Sequence, residues 1–203
     1  MPRMVTLRCV PTRLERLLVL SAPARACSRL LVMVGLLLGL AGCATDPSAE
    51  YLGGFGDPIR GAALYAPRNL GDTSRWAGQP AEAAVAAEQL EFLTDSLTTD
   101  PRYAPEINPA VLQTLQTART EMRGYLGIAP DAAPAGVIAG LRRAAEGLRA
   151  GSRARAEAAL AGPAFTAGPT GTLQRLATMP RLPRTAEAAG MVAAEFDRLE
   201  RRR

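Results

Sequence analysis

The chain predicts an all-α fold, a small helical bundle of four to five helices after an irregular N-terminal tether. Three observations lead there. The composition is rich in Ala and poor in aromatic residues, which make up 4% of the chain; such chains favour closely packed helices over sheets. Apolar residues recur at spacings of three and four through much of residues 80–203, the pattern of helices with one buried face. No pair of alternating segments bounded by hairpin turns occurs.

The elements follow in chain order. Residues 44–79 read as a tether followed by irregular structure, because Gly53-Gly54, Gly56-Asp57-Pro58, Pro67 and Gly78 interrupt every candidate helix. Tyr51, Phe55, Tyr65 and Trp76 fall within it, so part of this segment is expected to lie against the bundle. A first helix is expected over about Pro80–Leu97, with Pro80 at the first helical position and Glu82 in the first turn. Ala83, Ala86, Leu90, Leu93 and Leu97 share its buried face, and Glu88, Glu91 and Asp95 take the opposite, solvated side. The same three carboxylates are also the oxygen ligands a divalent cation takes.

The second helix has the best-marked start. Asn108 is its N-cap, Pro109 takes the first position, and Ile107 is placed to pack on Leu112. Leu112, Leu115, Arg119, Met122 and Leu126 form a seam that Arg119 breaks. Its side chain either snorkels to the edge or meets a carboxylate of the first helix. Gly127 and Pro130 end the helix. Residues 132–161 read as two helices broken at Gly151-Ser152, with Ser152 capping the second. Gly136, Gly140 and Gly147 either weaken the first of these or permit close approach of a neighbour. A short helix near Thr172–Thr178 follows, then a last one capped by Thr185 and lined by Ala189, Val192, Phe196 and Leu199.

Ahead of the tether, Arg25 and Arg29 flank the apolar stretch Leu30–Leu40, which has the length of a signal-peptide core and is too short to span a membrane comfortably. It closes on Leu40-Ala41-Gly42-Cys43, which resembles the lipobox of bacterial lipoproteins. The resemblance implies a diacylglycerol on the Cys43 thiol, cleavage before Cys43, and a palmitate-type acyl chain on the new N-terminus. Residues 1–42 are then a signal peptide, 43–79 a lipid-anchored tether, and 80–203 the helical domain. It further implies a periplasm-facing location in the cell envelope. Ala44, where an Asp favours the inner membrane, points to the outer membrane.

Charge and absences bound the chemistry. The chain has net charge +5, but six Arg and a single Glu belong to residues 1–42, leaving 18 Arg against 18 acidic residues. Global basicity therefore gives no reason to expect nucleic acid as a partner. The balance is uneven: residues 44–131 carry 12 acids and 6 Arg, residues 132–203 the reverse. Such segregation either docks one half on the other or presents a basic face to an anion. There is no His and no Lys, which excludes imidazole bases, Ser-His-Asp triads and Schiff bases. Cys9 and Cys27 leave with the leader and Cys43 would be acylated, so no thiol chemistry remains. No metal cluster or cofactor motif stands out.

The densest basic region, Arg142, Arg143, Arg149, Arg153 and Arg155, is the candidate anionic-ligand contact, or else a solvated face. The expectation is a non-enzymatic envelope lipoprotein with a structural or protein-interaction role, its partners membrane lipid through Cys43 and an envelope protein. The alternatives are a binder of lipid or another amphiphile between helices, and a cell-wall glycan hydrolase using two of Glu88, Glu91, Asp95 and Glu121.

Overall fold

The computed structural model describes residues 56–202, and among them the chain forms seven α-helices and no strand. The leader, Leu40, Ala41, Gly42 and the acylation candidate Cys43 lie outside the described residues. Proline marks the helix starts. Six of the seven helices carry Pro in their first turn, where its fixed φ fits the helix and its missing N–H leaves no donor unsatisfied.

Helix α1 (Pro58–Leu70) occupies a stretch that the sequence reading assigned to irregular structure. Asp57-Pro58 looks like a turn, yet it is a helix start. The Asp57 carboxylate accepts from the amides of Ile59 and Arg60, and Pro58 takes the first helical position. Ile59, Ala62, Ala63, Ala66 and Leu70 are buried, so the helical body begins at Pro58 rather than at residue 80. A 3-10 turn (Thr73–Trp76) follows. There the Trp76 indole donates to the Asn69 carbonyl at 2.8 Å, and Thr73 donates to Pro180 and accepts from the Leu182 amide. Of the four aromatic residues noted in the sequence, Trp76 packs on the core and Tyr65 stays exposed.

The remaining helices are α2 (Pro80–Thr99), α3 (Pro109–Leu126), α4 (Pro134–Arg149), α5 (Arg153–Ala159), α6 (Gly168–Ala177) and α7 (Pro183–Glu200). Four of them close a ring, in which α1 packs on α2, α2 on α3, α3 on α7 and α7 back on α1. On the other side of α2 lie α4, which packs on it most extensively, and α6; α5 packs on α4 and α6. Helix α2 is therefore enclosed, and Ala83, Ala84, Ala86, Ala87, Leu90, Leu93 and Leu97 are all buried. Small Ala side chains let several neighbours approach one axis at once.

Two local expectations are corrected. The buried seam of α3 runs through Val111, Leu115, Ala118, Met122 and Leu126, one position away from Arg119, which is half-buried at its edge. Thr185 does not cap α7 from its own chain segment. The helix starts at Pro183, and Glu121 of α3 supplies the acceptor, taking the Arg184 amide at 3.2 Å, the Thr185 amide at 2.9 Å and the Thr185 hydroxyl at 3.0 Å. Asn108, Gly127 and Ser152 act as expected: Asn108 accepts from Ala110, Gly127 ends α3 at φ 71°, and Ser152 accepts from Arg155.

The glycines of α4 divide by function. A Cβ at Gly140 would lie 2.7 Å from the Phe165 ring, and one at Gly147 would lie 2.8 Å from the Ala156 amide, so both allow close approach. A Cβ at Gly136 would meet nothing within 4 Å. Gly140→Ala should therefore lower unfolding stability by about 1–3 kcal/mol through overpacking. Gly136→Ala should leave it unchanged or raise it by up to about 1 kcal/mol, since only unfolded-state freedom is lost. Chemical denaturation of the two variants checks this; equal effects would contradict the packing.

Candidate functional site

The arginine cluster divides by what each helix face meets. Arg142 and Arg149 stand two turns apart on α4 and turn toward α2, where Arg142 pairs with Glu88 and Arg149 with Glu82 at 3.2 Å. Arg153 pairs along α5 with Glu157 at 2.9 Å. Arg143 and Arg155 remain: both are exposed, and among the described residues neither forms an ion pair. The structure thus keeps two of the five candidate residues facing outward without an acidic partner, ties Arg142 and Arg149 to α2, and pairs Arg153 within its own helix.

Arg143 and Arg155 line a hollow of about 410 Å³ with Glu146, Gly147, Ala158 and Ala159. A second hollow of about 450 Å³ adjoins it, sharing Arg143 and Ala159. Its walls are largely apolar: Ala132, Ala133 and Gly136 on one side, Pro163, Ala164 and Phe165 on the other, with Asp131 as its acidic residue. Backbone pairing fixes these walls. Ala129 donates to the Ala164 carbonyl at 2.8 Å, and Ile128 and Phe165 form an antiparallel bridge.

The carboxylates expected on a solvated face of α2 are instead interior. Glu88 and Glu91 are each 1% exposed, while Asp95 is half-buried. Periodicity placed them outside because it presumes one buried face, and α2 is covered on several. Glu91 accepts a two-pronged contact from Arg123, Nε to Oε1 at 2.6 Å and Nη2 to Oε2 at 2.7 Å. The remaining Nη1 donates to the carbonyls of Pro130 and Ala132 at 2.9 Å, and to that of Ala129 at 3.3 Å. The sequence offered such a contact only as the alternative for Arg119, which instead sits half-buried at the edge of the seam. Shifting the seam by one residue, to Ala118, would have singled out Arg123, next to Met122 on the buried side.

Glu195 was also missed. Buried on α7, it accepts from the Asn108 amide at 2.7 Å and from Arg198 at 2.6 and 2.8 Å. The Arg198 guanidinium holds its carboxyl below the ordinary 4.5 against the opposing effect of burial, and the Asn108 amide adds to that lowering. Each deeply buried carboxylate is thus already paired with an arginine. Among the described residues, no three His, Cys, Asp or Glu side chains come together to hold a metal ion. What the surface offers chemically is a cationic hollow joined to an apolar one.

Two consequences are measurable. Arg123→Met, which strands a buried carboxylate and removes the donor to the Pro130 and Ala132 carbonyls, should cost about 3–5 kcal/mol in denaturant unfolding; adding Glu91→Leu should recover part of the loss. Because the Glu195 carboxyl is lowered in the folded state, its stabilisation is present above the unfolded value and lost as pH falls through the folded one. The stability gap between the wild type and Glu195→Gln should therefore shrink on acidification from about pH 6 to pH 3; a constant gap would contradict the pairing. Compared with known proteins, the chain matches no family model, no curated protein and no solved structure.

Proposed function

We propose that the chain is an envelope lipoprotein, anchored through acylated Cys43 on the periplasmic side, whose helical body works by non-covalent contact rather than by covalent chemistry. Leu40-Ala41-Gly42-Cys43 supports the anchor. The observation that carries the second part is the saturation of the buried carboxylates: Glu88, Glu91 and Glu195 each meet an arginine. A glycan hydrolase needs two carboxyl groups about 5–9.5 Å apart across a cleft, one with a raised pKa. Neither Glu88 nor Glu91 lines the two hollows, and each is engaged by a guanidinium, Glu88 by Arg142 and Glu91 by Arg123.

Among the described residues no helix is long and apolar enough to cross a membrane, so stable attachment in this reading rests on the acyl chains, of which at least two are required. Thirteen residues lie between Cys43 and Asp57, a chain length of at most about 50 Å. Partners are then envelope components within that reach. Binding of an amphiphile between helices is the second reading, favoured by the paired hollows beside α4 and α5.

Cells expressing the chain with radiolabelled palmitate should yield labelled protein in the membrane fraction, and Cys43→Ala should abolish the label. Unlabelled wild-type protein, or a product that retains residues 1–42, would overturn the anchor.

A further inference from the structure

We propose that the joined hollows beside α4 and α5 form a binding site for one single-chain amphiphile with an anionic headgroup. The headgroup sits on Arg143 and Arg155, and the chain lies against Phe165 and Pro163 over Gly136. The inference rests on the geometry of residues 129–165 and does not require acylation of Cys43.

Charge assigns the head. Neither Arg143 nor Arg155 has an ion-pair partner among the described residues, although their neighbours Arg142, Arg149 and Arg153 all do. With Glu146 in the same hollow, two guanidinium groups face one carboxylate, leaving a net positive charge for an anionic headgroup. Guanidinium forks suit phosphate or carboxylate oxygens in a planar, two-point contact. In the second hollow Asp131 offsets the shared Arg143, so only the first keeps a net positive charge, which sets the direction of the ligand.

Shape assigns the chain. Each hollow, about 410 and 450 Å³, falls within the range of about 300–1,000 Å³ typical of ligand sites. The apolar one opens over Gly136, where an added Cβ meets nothing within 4 Å. The walls are pre-set. Arg123 holds the carbonyls of Ala129, Pro130 and Ala132, and Ala129 is bonded to Ala164 across the hollow. A ligand entering such a site orders little further backbone, which favours affinity.

The test uses the full chain in membranes with a dodecyl phosphate carrying a diazirine on its alkyl tail, and the crosslinks are located by peptide mass spectrometry. Label is expected within residues 129–136 and 159–165. Unmodified dodecyl phosphate should compete for it, while inorganic phosphate at equal concentration should not. The double variant Arg143→Gln with Arg155→Gln should reduce labelling about tenfold or more, as loss of charged hydrogen bonds does. Gly136→Leu should do likewise by filling the apolar hollow. Both changes fall on exposed positions, and an unchanged thermal midpoint verifies the fold. Three results would each overturn the proposal: labelling insensitive to both variants, effective competition by inorganic phosphate, or equal labelling by an uncharged dodecyl alcohol probe. Compared with the wild type in the same detergent solution, Cys43→Ala should label equally, which separates this outcome from that of the anchor.

Discussion

The contact between Glu91 and Arg123 ties α2, α3 and the loop leading into α4 together at one point. Moving a carboxylate and a guanidinium out of water costs several kcal/mol per ion, and their attraction offsets it only when the remaining donors and acceptors are also met. Here they are. Two guanidinium nitrogens meet the two Glu91 oxygens, and the third meets three carbonyls of the loop between α3 and α4. Without the guanidinium, the half-buried loop would lose the donor to its Pro130 and Ala132 carbonyls. With it locked, the start of α4 is placed relative to α2 and α3, and so is the wall of the apolar hollow.

The same logic runs round α2. A helix surface of Ala and Leu offers neighbours several nearly equivalent registers, because small similar side chains interdigitate in more than one way. Polar contacts single out one. Gln89 donates to the Ala62 carbonyl of α1 and accepts from Asn69. Glu91 selects α3, while Glu82 and Glu88 select α4. Helices α1, α3 and α4 are each tied at a position where sliding by one turn would strand a buried amide or carboxylate, which costs about 1–3 kcal/mol or more.

These contacts also explain which features were legible from the sequence. Capping and punctuation act over a few residues, so Asn108-Pro109, Gly127 and Gly151-Ser152 could be read directly, and with them both ends of α3 and the break between α4 and α5. Asp57-Pro58 carries the same grammar but sits among glycines, with Pro67 inside the helix it starts; the breakers outweighed the cap. Burial of Glu88 and Glu91 was not legible. It depends on arginines 54 and 32 residues away in the chain, and local periodicity cannot express partners brought together by tertiary packing. Glu121 is another instance, a cap for α7 supplied by α3 from 63 and 64 residues away.

The segregation of acids in the first half and arginines in the second likewise acquires a physical meaning. Acidic α2 draws Arg142 and Arg149 of α4, which accounts for part of the asymmetry as intramolecular docking. The α4 side chains on the other face, toward α5, have no acidic helix opposite them, so Arg143 and Arg155 face solvent beside Glu146. A body near overall neutrality projects little long-range field, and at physiological salt exposed charges are screened beyond about 8 Å. Recognition at this surface therefore operates at contact range. Contact with a solvated phosphate alone would gain little there, because the ion exchanges water for arginines that remain half in water. The adjoining apolar hollow changes that balance, since each methylene removed from water contributes about 0.8 kcal/mol. The affinity of such a site would come mainly from the chain, and its discrimination from the two arginines.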